Sequence, residues 1–213
     1  MRGGKSTMMI KAALLLAVIG HILCGVCDCL LSYSPKGRLN LKDIRDPEKM
    51  RALFEGMPLS YPMASIVMGT FAILMFSFGY FALSFWMRQF SPAAANILFV
   101  SAAVFLIPIT THHVFCGAVE WLYLRLGRTG EARDAVLGLQ KKSIVTMFVG
   151  YAGLLVFTGT LFFMTVAGKT AVPRWGCVFN TLAFLPALLP TGLPAKGNIA
   201  GALMFLGLLF ILP

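Results

Sequence analysis

The sequence predicts an all-α membrane protein, a polytopic bundle of about six transmembrane helices. Three observations carry that prediction. Hydrophobic residues fill 58% of the 213 positions and charged ones only 12%. Mean hydropathy is +0.82, too apolar for a water-soluble globule. The charges gather between apolar runs near the ~20 residues that a helix needs to cross hydrocarbon.

Six spans fit, at roughly 8–32, 60–86, 93–124, 143–167, 175–192 and 197–213. The first resembles a signal peptide at its start. Its apolar run continues to about Leu31 with no small-residue cleavage site, which predicts a retained first span. The third is too long for one perpendicular crossing, so Pro108 should kink it and its end should project from the bilayer. The fifth contains Pro186 and Pro190, with Pro194 following, and its end should be broken or irregular.

The polar stretch 34–59 carries its own helix signals. Asp46-Pro47 supplies an N-cap and a first-turn proline, and Gly56 and Pro58 supply a stop. Between them Met50, Leu53, Phe54 and Met57 repeat at helical spacing. This predicts a short amphipathic helix lying on the bilayer surface, able to lid a site below it. In the second long loop, Thr129 precedes a helix-prone run from Glu131 that feeds the fourth span.

The formal charge of +10 is read as basic loops against anionic lipid headgroups, with membrane lipids as partners and no nucleic acid. Twelve Lys and Arg fall in the loops at 36–51, 125–142 and 196, against six on the other face. The positive-inside rule therefore places the long loops in the cytoplasm and both termini outside. The five cysteines lie in or beside apolar runs, which excludes a disulfide-stapled extracellular framework.

One stretch organises the chain. His21, Cys24, Gly25, Asp28 and Leu30 recur as His113, Cys116, Gly117, Glu120 and Leu122. Steps of three and four residues keep each imidazole, thiol and carboxyl on one helix face, within roughly 60° of arc. A weaker echo, Ser65-Ile-Val against Ser143-Ile-Val, joins it. Together they predict a tandem pseudo-repeat, with the first and second spans duplicated as the third and fourth. Its axis would lie along the membrane normal, setting His21 level with His113 and Asp28 level with Glu120.

Ionisable groups in hydrocarbon cost several kcal/mol unless paired or facing a cavity, so this stripe is the candidate site, between the first and third spans. Acid–base catalysis on a lipophilic small molecule would use Asp28 and Glu120 as acid and base, with His21 and His113 as partners or relays. Metal-assisted chemistry would draw ligands for zinc or another transition metal from His21, Cys24, Asp28, His112, His113, Cys116 and Glu120. His21 and His113 could instead be the axial ligands of a haem. A carrier with a protonatable midplane site is the alternative, and at this size it would work as a homodimer. Non-catalytic polar glue is the third reading, Asp28 bonding His113 and Glu120 bonding His21 across helices. Cys24-Gly-Val-Cys27 is formally C-x-x-C, but it lies late in its span, where no helix N-terminus activates a thiol. No P-loop, nucleophile elbow, dinucleotide fingerprint or HExxH occurs.

The stretch from His21 into the second span, with 113–120, resembles an uncharacterised family of small bacterial multi-pass integral membrane proteins. Gly25, Asp28, Leu30 and Leu31 stand where that family has a Gly-Asp-Leu-Leu-like run, although here Cys27 precedes the acid. The resemblance implies a bacterial inner-membrane location and no particular activity.

Overall fold

The computed structural model describes residues 2–40, 43–44 and 46–212, with side chains from Thr7 onward. Lys42 and Arg45 of the charge count, the side chains of Arg2 and Lys5, and Pro213 of the sixth span lie outside the described residues.

Long apolar runs become long helices. These are α1 (Arg2–Ser32), α3 (Ser60–Met87), α4 (Pro92–Arg125) and α6 (Val145–Val166), with α2 (Pro47–Leu53) and α5 (Gly130–Ser143) in the loops between them. Four stretches are long and apolar enough to cross a membrane: Thr7–Ser32, Ser60–Met87, Pro92–Arg125 and Gly130–Val166. Their ends follow local chemistry. Ser91 and Thr129 accept from the backbone N–H groups of Ala94 and Ala132 at 3.2 and 3.1 Å, and proline opens α4. α4 continues unbroken through Pro108 for 34 residues, about 50 Å at the helical rise, so it outruns a hydrocarbon layer of about 30 Å.

The expected fifth span is corrected. Residues 175–192 form no crossing helix but a 3-10 turn, Arg174–Val178, and an eight-residue helix α7, Thr181–Leu188. Asn180 makes the break: its Oδ1 caps Leu182 N–H at 2.9 Å while its amide donates to the carbonyl of Thr158 at 3.0 Å. The last helix, α8 (Lys196–Ile211), has 16 residues, fewer than the ~20 of a full crossing.

α1 packs along α3 on one side and α8 on the other, α3 on α4, and α4 on α6; the 3-10 turn and α7 close the circuit between α6 and α8. The result is a ring of helices. α3 separates α1 from α4 over most of their length, so the pairs α1–α3 and α4–α6 are each hairpins. The trunk core, with Leu14, Phe76, Tyr80, Phe105, Phe157 and Phe205 among its members, is almost wholly aromatic and aliphatic.

A second, smaller core sits on the loop side. Met50, Phe54 and Met57 bury themselves against Val119 and Tyr123 of α4 and Ala132 and Val136 of α5. The helix of the 34–59 loop is therefore present where its signals placed it, with Asp46 Oδ1 accepting from the N–H of Glu48 and Lys49 at 3.1 and 3.2 Å. Its apolar face is spent on protein rather than lipid, because the projecting end of α4 offers an apolar partner. A two-residue hairpin, β1 (Tyr33–Ser34) with β2 (Gly37–Arg38), precedes it. Trp86, near the end of α3, is buried against Phe90, with ring centroids 4.8 Å apart.

Candidate functional site

The polar stripe of α1 points two ways. Cys24 and Asp28 line a cavity of about 670 Å³ bounded by the helix ring and by loop residues such as Arg38, Leu39 and Pro194. His21, one turn deeper, faces α3 and α8 instead. It is 3% exposed, stacked on Phe76 with centroids 4.1 Å apart, and flanked by Phe205 at 5.6 Å. A Cβ on Gly201 would strike the His21 ring, and one on Gly69 would strike the His113 ring. Each imidazole thus rests directly on a neighbouring helix where only glycine leaves room.

His113 is the residue that α4 brings to α1. Its Nδ1 lies 3.6 Å from Asp28 Oδ1, and its Nε2 lies 3.0 Å from the carbonyl oxygen of Ser65 on α3. A carbonyl can only accept, so Nε2 carries the hydrogen and a neutral ring turns the lone pair of Nδ1 toward Asp28. The Ser65 hydroxyl donates to the carbonyl of Cys27 at 3.0 Å, which ties α3 to α1 beside this pair.

The other carboxylate oxygen, Asp28 Oδ2, accepts from the amide of Asn198 on α8 at 2.8 Å. That contact orients the amide, so its Oδ1 accepts from His21 Nδ1 at 3.0 Å, and His21 Nε2 receives the Tyr80 hydroxyl at 3.5 Å. A chain of alternating donors and acceptors therefore runs Tyr80, His21, Asn198, Asp28. An amide cannot pass a proton as an imidazole does, so Asn198 holds His21 to Asp28 without joining them as a relay.

Across the cavity α4 presents His112, Cys116 and Glu120. Cys116 Sγ is 3.5 Å from His112 Nε2. Among the described residues, Glu120 Oε2 and His112 Nδ1 are buried side-chain atoms that meet no protein hydrogen-bond partner. The remaining wall is largely apolar, with Ile73, Phe105, Ile109, Leu154 and Leu185. On the loop side Met50 and Phe54 also line it.

The sequence-derived site is assembled in part. Asp28 and His113 meet, but Glu120 and His21 do not, since Asn198 and Tyr80 occupy both His21 nitrogens. The two imidazoles are anchored about three turns apart on α3, one at Ser65 and the other at Phe76 and Tyr80. That corrects the expected level placement and removes a haem between them, because His21 is packed among aromatic rings. Of the seven predicted metal ligands, Cys24, Asp28 and His113 converge, with one donor atom from each lying within 4.8 Å of the others. All five cysteines are free. Sequence reasoning did not place Asn198, Ser65 or Tyr80 in the site; Ser65 was marked only as part of the repeat echo, and an amide alone in the apolar run 197–212 was the signal for Asn198.

Fold and site together define an all-α bundle with four helices apolar and long enough to cross a membrane, around a cavity whose wall carries a buried Cys/Asp/His group. The chain belongs to a family of unknown function, DUF6796, whose model matches residues 5–212. Neither the curated proteins nor the solved structures hold a significant match to it.

Proposed function

We propose that this protein is a multi-pass enzyme of a bacterial inner membrane that performs proton-transfer chemistry on a lipophilic small molecule. One observation carries the reading: a 670 Å³ cavity, apolar around most of its wall, with Asp28, His113 and Glu120 among its lining residues. That volume lies inside the roughly 300–1,000 Å³ of small-molecule sites, and a few polar groups in an apolar wall are what such sites use for orientation. Glu120 is assigned the proton donor or acceptor, since its free oxygen faces no protein partner. Asp28 and His113 bind and polarise the reacting group. The role of His21 is to position Asp28 through Asn198. In this reading the four long apolar stretches cross the bilayer, α7 and α8 complete the wall of the cavity between them, and the two basic loops face the cytoplasm.

The test is an untargeted comparison of lipid extracts incubated with protein purified in nanodiscs. Wild type should deplete at least one lipophilic species and form a product. Glu120→Gln should retain that species bound but leave it unconverted, and Asp28→Asn should lose both binding and conversion. An extract left unchanged by wild type, with no lipophile co-purifying, would overturn the proposal.

A carrier is the second reading, favoured by the broken segment at Asn180, since transporters place discontinuous helices beside their sites. Flux across proteoliposomes without chemical change of the cargo would replace the enzyme by this alternative.

A further inference from the structure

We propose that Cys24, Asp28 and His113 form a three-ligand site for a divalent transition-metal ion of the zinc class, with its fourth position open to the cavity. The inference deepens the reading above, resting on it for the site's purpose but not for its existence.

Spacing is the first argument. The Nδ1–Oδ1 separation of 3.6 Å is too long for a hydrogen bond. Two ligands held at about 2.0–2.3 Å on one tetrahedral ion are themselves about 3.3–3.8 Å apart. The three ligating atoms lie within 4.8 Å of one another, so small rotamer adjustments close them on a single centre.

Donor chemistry is the second. The hydrogen of His113 is committed to the Ser65 carbonyl on its far side. The ring therefore offers a lone pair to a carboxylate oxygen, beside a thiol sulfur. Three potential ligand atoms, an imidazole nitrogen, a carboxylate oxygen and a thiol sulfur, converge in a mostly buried place. A cation could take the place of the thiol hydrogen and bind the Nδ1 lone pair, since ligating thiols and imidazoles give up their protons to the metal.

The surroundings are the third. A ligating imidazole usually gives its other N–H to a carbonyl or carboxylate, which fixes the tautomer; Ser65 does this here. Asn198 holds Asp28 Oδ2 and leaves Oδ1 for the ion. Cys24 and Asp28 stand at i and i+4 on α1, one above the other on the same face. The mixed nitrogen, oxygen and sulfur set suits zinc, cobalt or iron rather than magnesium or calcium. With three protein ligands and a cavity on the open side, the arrangement is that of a catalytic rather than a closed structural site. His112 and Cys116 pair with each other and His21 with Asn198, so none of the three belongs to the set.

The test uses full-length protein carrying no polyhistidine tag, purified without chelator and then equilibrated with zinc or cobalt. Elemental analysis should find one ion per chain. The cobalt form should show a thiolate-to-metal charge-transfer band. Cys24→Ser should abolish that band, and His113→Gln should reduce bound metal to background, while His112→Gln should leave both unchanged. Wild type that takes up no stoichiometric metal overturns the proposal, whatever the variants do. So does metal retained in full by Cys24→Ser and His113→Gln. A metal-free protein that still converts a lipophile would sink this site and spare the enzyme reading; a metal-loaded protein that converts nothing would do the reverse.

Discussion

Asn198 is the single side chain on which the buried polar chain turns. It gives a hydrogen to Asp28 and takes one from His21. Asn198→Leu would leave both groups without that partner, at a cost of about 1–3 kcal/mol for each buried group stranded. Thermal unfolding in detergent should drop accordingly; a variant as stable as wild type would show that the chain does not hold α8 to α1. Gly201 tests the same joint by size. Gly201→Ala drives a methyl into the His21 ring, already trapped between Phe76 and Phe205, and overpacking of this kind costs about 1–3 kcal/mol. Gly159→Ala, whose new methyl meets nothing within 4 Å, should be neutral or stabilising. Equal losses from the two substitutions would refute the tight fit assigned to His21.

At the scale of elements, α2 shows how far local signals reach. Its start is written in Asp46-Pro47. Of the four apolar residues at helical spacing, Met50 and Leu53 lie on the helix, whereas Phe54 is its C-cap and Met57 follows in the turn, and Met50, Phe54 and Met57 are the ones buried in the small core. What that face would meet was not legible. A lipid surface and the projecting end of α4 select for the same residues, and only the tertiary arrangement decides between them. The same holds for the long helices: composition identifies them, and caps such as Ser91 and Thr129 set their starts. Prolines 186, 190 and 194 marked trouble after α6 but not that the helix would shrink to eight residues. Phe54→Ala should cost about 3–5 kcal/mol in the small core, where its ring meets Tyr123 edge-on at 5.4 Å and 81°. Limited proteolysis of the 34–59 loop should accelerate while the trunk's melting point holds. A fall in trunk stability as well would contradict the separation of the two cores.

For the whole molecule, the candidate site was legible as a list of residue types and illegible as a geometry. His21, Asp28, His113 and Glu120 stood out because ionisable groups are rare in apolar runs. Which of them meet depends on rotation and crossing of helices whose apolar faces are nearly uniform. α3 intervenes between α1 and α4, and Asn198 arrives from the far end of the chain. An echo between two stretches therefore located both halves of the wall without pairing them correctly. Because the cavity is the lumen of the ring, filling it should displace a ligand while sparing the fold. Leu185→Trp, on the α7 side of the wall, should lose co-purified lipophile by mass spectrometry with an unchanged size-exclusion profile. Full retention would place the ligand elsewhere.

The small loop-side core and the trunk core share no buried residue, yet Met50 and Phe54 belong to the first and also roof the cavity. Regions with independent cores come apart at independent free energies. The loop-side roof should therefore open in a transition of its own, and warming should release Met50 and Phe54 from the mouth of the cavity before the ring of helices beneath it loosens.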